Sequence, residues 1–211
     1  MRSRQLAPLL LAVLLGAAPL AGQAQERQPL DRIVAVVNEG AIMASQLEDR
    51  LAQTRRQLTA RGIELPSDQA LREQVLDRLI VEEIQLQMAR EANLSVDDTE
   101  LNRQVRAIAE GNGMTLEQFA DALEADGLSL GMMRDQVRRE LLMRELQQRR
   151  VAGRVSLSER EVERFMEQQG GLSREQARQA LFQRKAGDEM EAWLQEIRAE
   201  AFVDERLEPG A

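Results

Sequence analysis

Leu30–Leu51, LDRIVAVVNEGAIMASQLEDRL, is the stretch that decides the fold. Ile33–Val37 is a short β-branched run, Asn38-Glu39-Gly40 is turn chemistry, and Ala41–Met43 is a second short run. Ser45 with Glu48 three residues on has the spacing of a capping box, in which hydroxyl and carboxylate satisfy orphan backbone donors at a helix start. A tight hairpin feeding directly into a helix cannot bury its own apolar faces. It needs a third strand and a helical body from elsewhere in the chain.

The body follows at once. Leu47, Leu51 and Leu58 recur on one helical face until Gly62 and Pro66 end it. A second helix starts near Ser67 or Asp68 and runs to about Ala92, with Leu71, Val75, Leu79, Ile80, Ile84 and Met88 forming a wide apolar stripe. Ser95-x-x-Asp98 opens a third helix with Leu101, Val105 and Ile108 inward, ended by Gly111-Asn112-Gly113. Thr115-x-x-Gln118 opens a short fourth with Leu116, Phe119 and Leu123, closed by Gly127. A fifth, from Ser129 to about Arg149, carries Leu130, Met133, Val137, Leu141 and Leu142. Short connections favour one compact antiparallel bundle. Beyond the Gly153–Leu157 connector, Ser158-x-x-Glu161 starts a short helix with Val162, Phe165 and Met166, which breaks at Gly170-Gly171. Ser173-x-x-Gln176 starts a long one to about Ala201, bearing Phe182, Met190, Trp193, Leu194 and Ile197. Gly187 inside it invites a bend or break. Phe202–Leu207 is a short possible strand. The fold class is mainly α, a helical bundle with a small N-terminal β-hairpin.

On the other side of the deciding stretch, residues 1–24 read as a signal peptide. Arg2 and Arg4 form a basic start, Leu6–Leu20 is apolar and uncharged, and Gly22-Gln23-Ala24 offers small residues for cleavage near Ala24. The apolar run is shorter than the about 20 residues a membrane-crossing helix needs. The expected product is exported, with no stable membrane insertion after signal removal.

Composition narrows the chemistry. The 211 residues include no Cys, no His and no Tyr. That removes Cys- and His-based nucleophilic and general-base chemistry and the ligands of most structural metal sites, so no catalytic residue, metal or cofactor is expected. The 36 acidic residues lie on Arg- and Gln-rich helices, where solvated faces are the plainer explanation than a catalytic pair. The formal charge of −8 becomes more negative once Arg2 and Arg4 leave, and nothing in it attracts nucleic acid or an anionic membrane. The Arg138–Arg150 stretch is interleaved with Glu140 and Glu145 at i,i+4 spacing, a solvated helix face. Glycines 111, 113, 127 and 131 lack the spacing of a phosphate loop and punctuate helices instead. The nine Met residues stand out beside four Phe and one Trp. Met114, Met132, Met133, Met143, Met166 and Met190 are either gap fillers in a helical core or the adaptable lining of a groove for other proteins' side chains. Trp193 reads as a core anchor.

The opening stretch resembles the start of the mature chain in the SurA family of periplasmic chaperones. The resemblance continues through VLDRLIVEEIQLQMA (Val75–Ala89), MTLEQ (Met114–Gln118), DGL (Asp126–Leu128), VRRELLMREL (Val137–Leu146) and RVSLSEREVERFM (Arg154–Met166). It implies a SurA-like N-terminal chaperone domain over 25–169. Parvulin-type prolyl isomerase domains would follow there in the family, and neither is present. Instead a Gly-Gly junction at 170–171 leads into LSREQARQALFQRKAGDEMEAWLQEIRAEAFVDERL (172–207), which resembles the family's extreme C-terminus. The resemblance implies that this helix docks on the same domain and that a C-terminal strand, for which Phe202–Leu207 is the one candidate, completes the N-terminal β-hairpin. It also implies an ATP-independent role in the periplasm, holding unfolded outer-membrane proteins with aromatic-rich segments and passing them to the outer-membrane assembly machinery. The groove would lie near Met114, Phe119, Leu128, Leu130, Met132 and Met133, the apolar content of short, glycine-bounded helices. Two alternatives stay open: a peptidyl-prolyl cis-trans isomerase, by family label, and a structural adaptor for one folded partner.

Overall fold

A computed structural model describes residues 31–207; the expected signal segment lies outside the described residues. The element order is β1 (Ile33–Val37), β2 (Gly40–Met43), α1 (Ala44–Ala60), α2 (Asp68–Glu91), α3 (Asp98–Gly111), α4 (Leu116–Ala125), α5 (Leu130–Ala152), α6 (Glu159–Gln169), α7 (Arg174–Glu200) and β3 (Val203–Glu205). The missing strand comes from the C-terminal end, as expected, though it is shorter than Phe202–Leu207. Strand order is β2-β1-β3, and β1 pairs antiparallel with both neighbours, Val36 facing Ala41 on one side and Asp204 on the other.

Asn38 fastens three parts of the chain. Its φ of 49° makes the hairpin turn, a left-handed conformation that Asn tolerates. Its backbone N–H donates to Phe202 O at 2.8 Å, and its Oδ1 accepts from Phe202 N at 2.9 Å. Its Nδ2 donates to Gln87 Oε1 on α2 at 2.9 Å, while Gln87 Nε2 donates to Val37 O at 3.0 Å. Gly40 permits this approach, because a Cβ there would lie 2.6 Å from Glu83 Oε1 and 2.8 Å from Gln87 Nε2.

Two helix starts differ from the sequence expectation. β2 runs into α1 without a linker, so Ser45 is already the second helical residue and cannot cap. Its N–H is an orphan donor that Asp31 Oδ1 accepts at 3.1 Å, and its hydroxyl donates to Asp31 Oδ2 at 2.5 Å. These bonds hold the Asp31 carboxyl below the usual carboxylate range, the Ser45 hydroxyl contributing most. Glu48 is left to pair with Arg72 of α2 at 2.7 Å. At α3 the cap is Asp97, which accepts from Thr99 N at 2.8 Å, and not Ser95. Ser67, Thr115, Ser129, Ser158 and Ser173 cap their helices as expected.

The helices pack around more than one apolar cluster. The main core joins the hairpin (Val34, Val37, Ile42) to Leu47 and Leu51 of α1, Leu71, Val75, Leu76, Ile80 and Ile84 of α2, and Trp193 and Ile197 of α7. A second cluster packs α6 on the first half of α7 through Val162, Phe165, Ala177 and Leu181. A third and fourth pack α3 and α4 on the first half of α5. Length permits the division. A helix of 23 or 27 residues runs about 35–40 Å, enough to reach two small clusters. α5 and α7 each serve two clusters, whereas α2, of similar length, lies along the main core from Leu71 to Ile84. The second half of α5 reaches the main core through Leu146 and through Gln147 Nε2, which donates to the buried Gln85 of α2 at 2.7 Å. Trp193 is buried as expected and lies under the Arg150 guanidinium, 5.9 Å from the ring centre.

α7 is continuous through Gly187, so the expected break is absent. Gly187 is exposed, and a Cβ there would meet nothing within 4 Å. Gly187→Ala is therefore expected to raise unfolding stability by about 1 kcal/mol. A urea titration followed by Trp193 fluorescence measures this; an unchanged or lower midpoint contradicts it.

Candidate peptide-binding surface

The surface is built from two successive helix endings. α3 ends in Gly111, Asn112 and Gly113. Gly113 adopts φ 70°, so its N–H reaches Glu110 O at 2.9 Å and the Met114 N–H reaches Ala109 O at 3.0 Å. α4 ends the same way, with Gly127 at φ 75°, its N–H on Glu124 O at 3.0 Å and the Leu128 N–H on Leu123 O at 2.8 Å. Both are Schellman closures, which need a left-handed residue that glycine supplies without strain. Each closure turns the chain and leaves the next residue, Met114 or Leu128, at the rim. Thr115 then caps α4 in a reciprocal box with Gln118 (2.9 and 3.2 Å), and Ser129 Oγ caps α5 by accepting from Met132 N at 3.1 Å.

This architecture splits the six residues singled out from sequence. Phe119 is buried with Ala109 and Leu123, and Leu130 and Met133 are half-buried against the same cluster. These three hold the tip together. Met114, Leu128 and Met132 are exposed, Met132 most at 57%. Leu116, read from sequence as part of the α4 stripe, joins the exposed set at 38%. As the first residue of α4, it has no preceding turn to cover it. Met114 and Leu116 thus sit at the start of α4, and Leu128 and Met132 just beyond its end. Further exposed apolar side chains, Ile63, Leu65, Phe182 and Phe202, lie on other elements.

The charge of the tip is one-sided. From residue 107 to 133 there is no Lys or Arg, but there are Glu110, Glu117, Asp121, Glu124 and Asp126, all exposed. Among the described residues none of the five joins an ion pair. Elsewhere acids are commonly matched, as in Arg50–Glu82 at 2.8 Å and Arg198 between Asp77 (3.1 Å) and Glu205 (2.8 Å).

A second feature is a crevice of about 270 Å³ lined by Arg154, Val155, Lys185, Asp188 and Glu189. Lys185 Nζ donates to Ser156 O and to Glu161 Oε1, both at 2.9 Å, and Glu189 pairs with Arg154 at 3.6 Å and Arg150 at 3.8 Å. The Lys185 contact, with the Ser158 backbone and hydroxyl, lowers the Glu161 pKa to about 2. A carboxyl so stabilised as the anion is the opposite of a proton donor poised for neutral pH. Its consequence is acid sensitivity. Because the folded pKa lies below the ordinary 4.5, the stabilisation of the α6–α7 contact is complete above about pH 4.5 and is lost as pH falls towards 2. An NMR titration of the Glu161 carboxyl should give a midpoint near 2; one near 4.5 refutes the clamp.

No helix among the described residues is long and apolar enough to cross a membrane, and no group of His, Cys, Asp or Glu among them is placed to hold a metal ion.

Comparison with known proteins gives the following likenesses. The family described as SurA N-terminal domain matches residues 30–147, which takes in β1 through most of α5 and the whole of the tip. The chain is 59% identical over 170 residues to Chaperone SurA of Chromohalobacter salexigens, covering 81% of this chain and 39% of that protein. It is 47% identical over 162 residues to Chaperone SurA of Alcanivorax borkumensis, covering 77% of this chain and 37% of that protein. The chain thus spans under two fifths of the length of these relatives. Among solved structures, a SurA-like chaperone from Campylobacter jejuni superposes with a TM-score of 0.44 at 22% identity, covering 65% of this chain and 49% of that one.

Proposed function

Because this chain belongs to the SurA N-terminal domain family, we propose that it is an ATP-independent chaperone of the periplasm that binds unfolded outer-membrane proteins and assists their delivery for assembly. The observation that carries the reading is the exposed set Met114, Leu116, Leu128 and Met132 on a tip whose packing is separate from the main core. Outer-membrane strands alternate apolar and polar residues and carry aromatic girdles. Flexible Met and Leu side chains can repack against many such sequences, giving weak and broad binding. In this reading Phe119, Leu130 and Met133 support the surface from beneath.

The reading is non-enzymatic, resting on the absence of His, Cys and Tyr from the sequence. It takes 25–169 as the chaperone domain, 170–171 as a junction and 172–207 as a C-terminal segment docked on the same domain. The packing of Trp193 and Ile197 in the main core and the pairing of β3 with β1 support this division. The test dilutes a urea-denatured outer-membrane β-barrel into the purified protein and follows light scattering, beside a proline-peptide isomerisation assay. Suppressed aggregation that weakens in Met132→Asp is expected. No protection refutes the holding role and leaves the single-partner adaptor; measurable isomerisation refutes the non-enzymatic reading.

A further inference from the structure

We propose that the tip selects its clients by charge as well as by apolar content, taking unfolded segments in which Lys or Arg stand between apolar side chains. This rests on the holding role proposed above and specifies what is held.

The geometry supplies a ruler. α4 has ten residues and rises about 15 Å, with Met114 and Leu116 before or at its start and Leu128 and Met132 past its end. An extended chain covers that distance in about four to five residues. Two apolar side chains at that separation would reach both ends. The exposed face of α4, from the Met114 end to the Leu128 end, is acidic, and Leu116, three and seven residues before Phe119 and Leu123, lies on the other side. Glu117, Asp121 and Glu124 are spaced i, i+4, i+7 and form one stripe on the side of α4 away from the buried Phe119 and Leu123. Asp126 and Glu110 extend the charge at the two helix ends. Like charges at i,i+4 oppose helix formation, and among the described residues none of the stripe's three acids joins an ion pair. Cations from a bound segment would relieve the repulsion.

The same charge argues against other occupants. A second copy would bring five further acids against these, and an acidic segment would be repelled at distances up to a Debye length of about 8 Å at physiological salt.

The experiment uses two labelled, unstructured peptides with the same aromatic and aliphatic residues four apart. One carries Lys between them, the other Glu. Fluorescence anisotropy with the purified protein at low salt is expected to give about tenfold tighter binding of the Lys peptide, narrowing to within about threefold at 0.5 M salt as the charges are screened. The triple variant Glu117→Gln, Asp121→Asn, Glu124→Gln changes only exposed side chains and should lose the preference. Equal affinity of both peptides for the unaltered protein overturns charge selection while leaving the holding role standing. A preference that survives in the triple variant overturns the assignment to this stripe. Failure of both peptides to bind counts against the holding role itself.

Discussion

Truncation after Gly171 will abolish cooperative folding. It removes α7 and β3, and with them Trp193 and Ile197 from the main core and Ala177 and Leu181 from the α6 cluster. Truncating a buried Trp alone costs about 3–5 kcal/mol, and a buried Ile about 2–5. Against the 5–15 kcal/mol typical of a domain, losing both leaves little. The cut also bares one edge of β1, a row of unpaired backbone groups prone to association. Arg198, which ties Asp77 of α2 to Glu205 of β3 at 3.1 and 2.8 Å, goes as well. Circular dichroism on heating should show a broad, early transition. A truncated chain melting within a few degrees of the intact one would show that the C-terminal segment is not part of the core. Trp193→Ala is the single-residue counterpart, with an expected loss of about 3–5 kcal/mol.

Leu101→Ala should act on the tip alone. Leu101 is fully buried in a cluster whose other buried members are Val105 and Val137. Its truncation is expected to cost about 2–5 kcal/mol, a large share of what so small a cluster supplies. No residue of that cluster belongs to the main core. Amide exchange should therefore quicken across α3 and α4 while β1 and α2 keep their protection, the behaviour of a separate cooperative unit. Client holding should fall with it. Uniform loss of protection along the whole chain would show that the clusters unfold as one.

Much of this was legible locally. The β-branched run, the Asn-containing turn and the cap spacings at Thr115, Ser158 and Ser173 specify elements through bonds within a few residues, so the sequence alone locates them. The exceptions are instructive. Ser45 has the spacing of a cap but is overtaken by a helix that starts one residue earlier, forced by the direct junction with β2, and a carboxylate fourteen residues back takes its place. Gly187 invites a bend or break, yet with Leu181 packed in one cluster and Trp193 in another on either side of it, the helix continues through it. At the candidate surface, apolar content found the tip but not its inside and outside. Phe119 and Met132 are both apolar residues in short helices, and only the direction of α4 against α3 and α5 buries one and exposes the other.

The sequence by itself determined the helices, most of their caps, the unfinished hairpin and the Met-bearing apolar content of the tip, because each depends on residues close together along the chain. Tertiary structure alone decided the register in which the C-terminal strand completes the hairpin, that α5 and α7 divide their apolar residues among separate clusters, and which of the tip's apolar side chains remain in water. Those outcomes depend on which faces meet between residues as far apart in the chain as Val34 and Arg206, and periodicity marks a face without naming the face it meets.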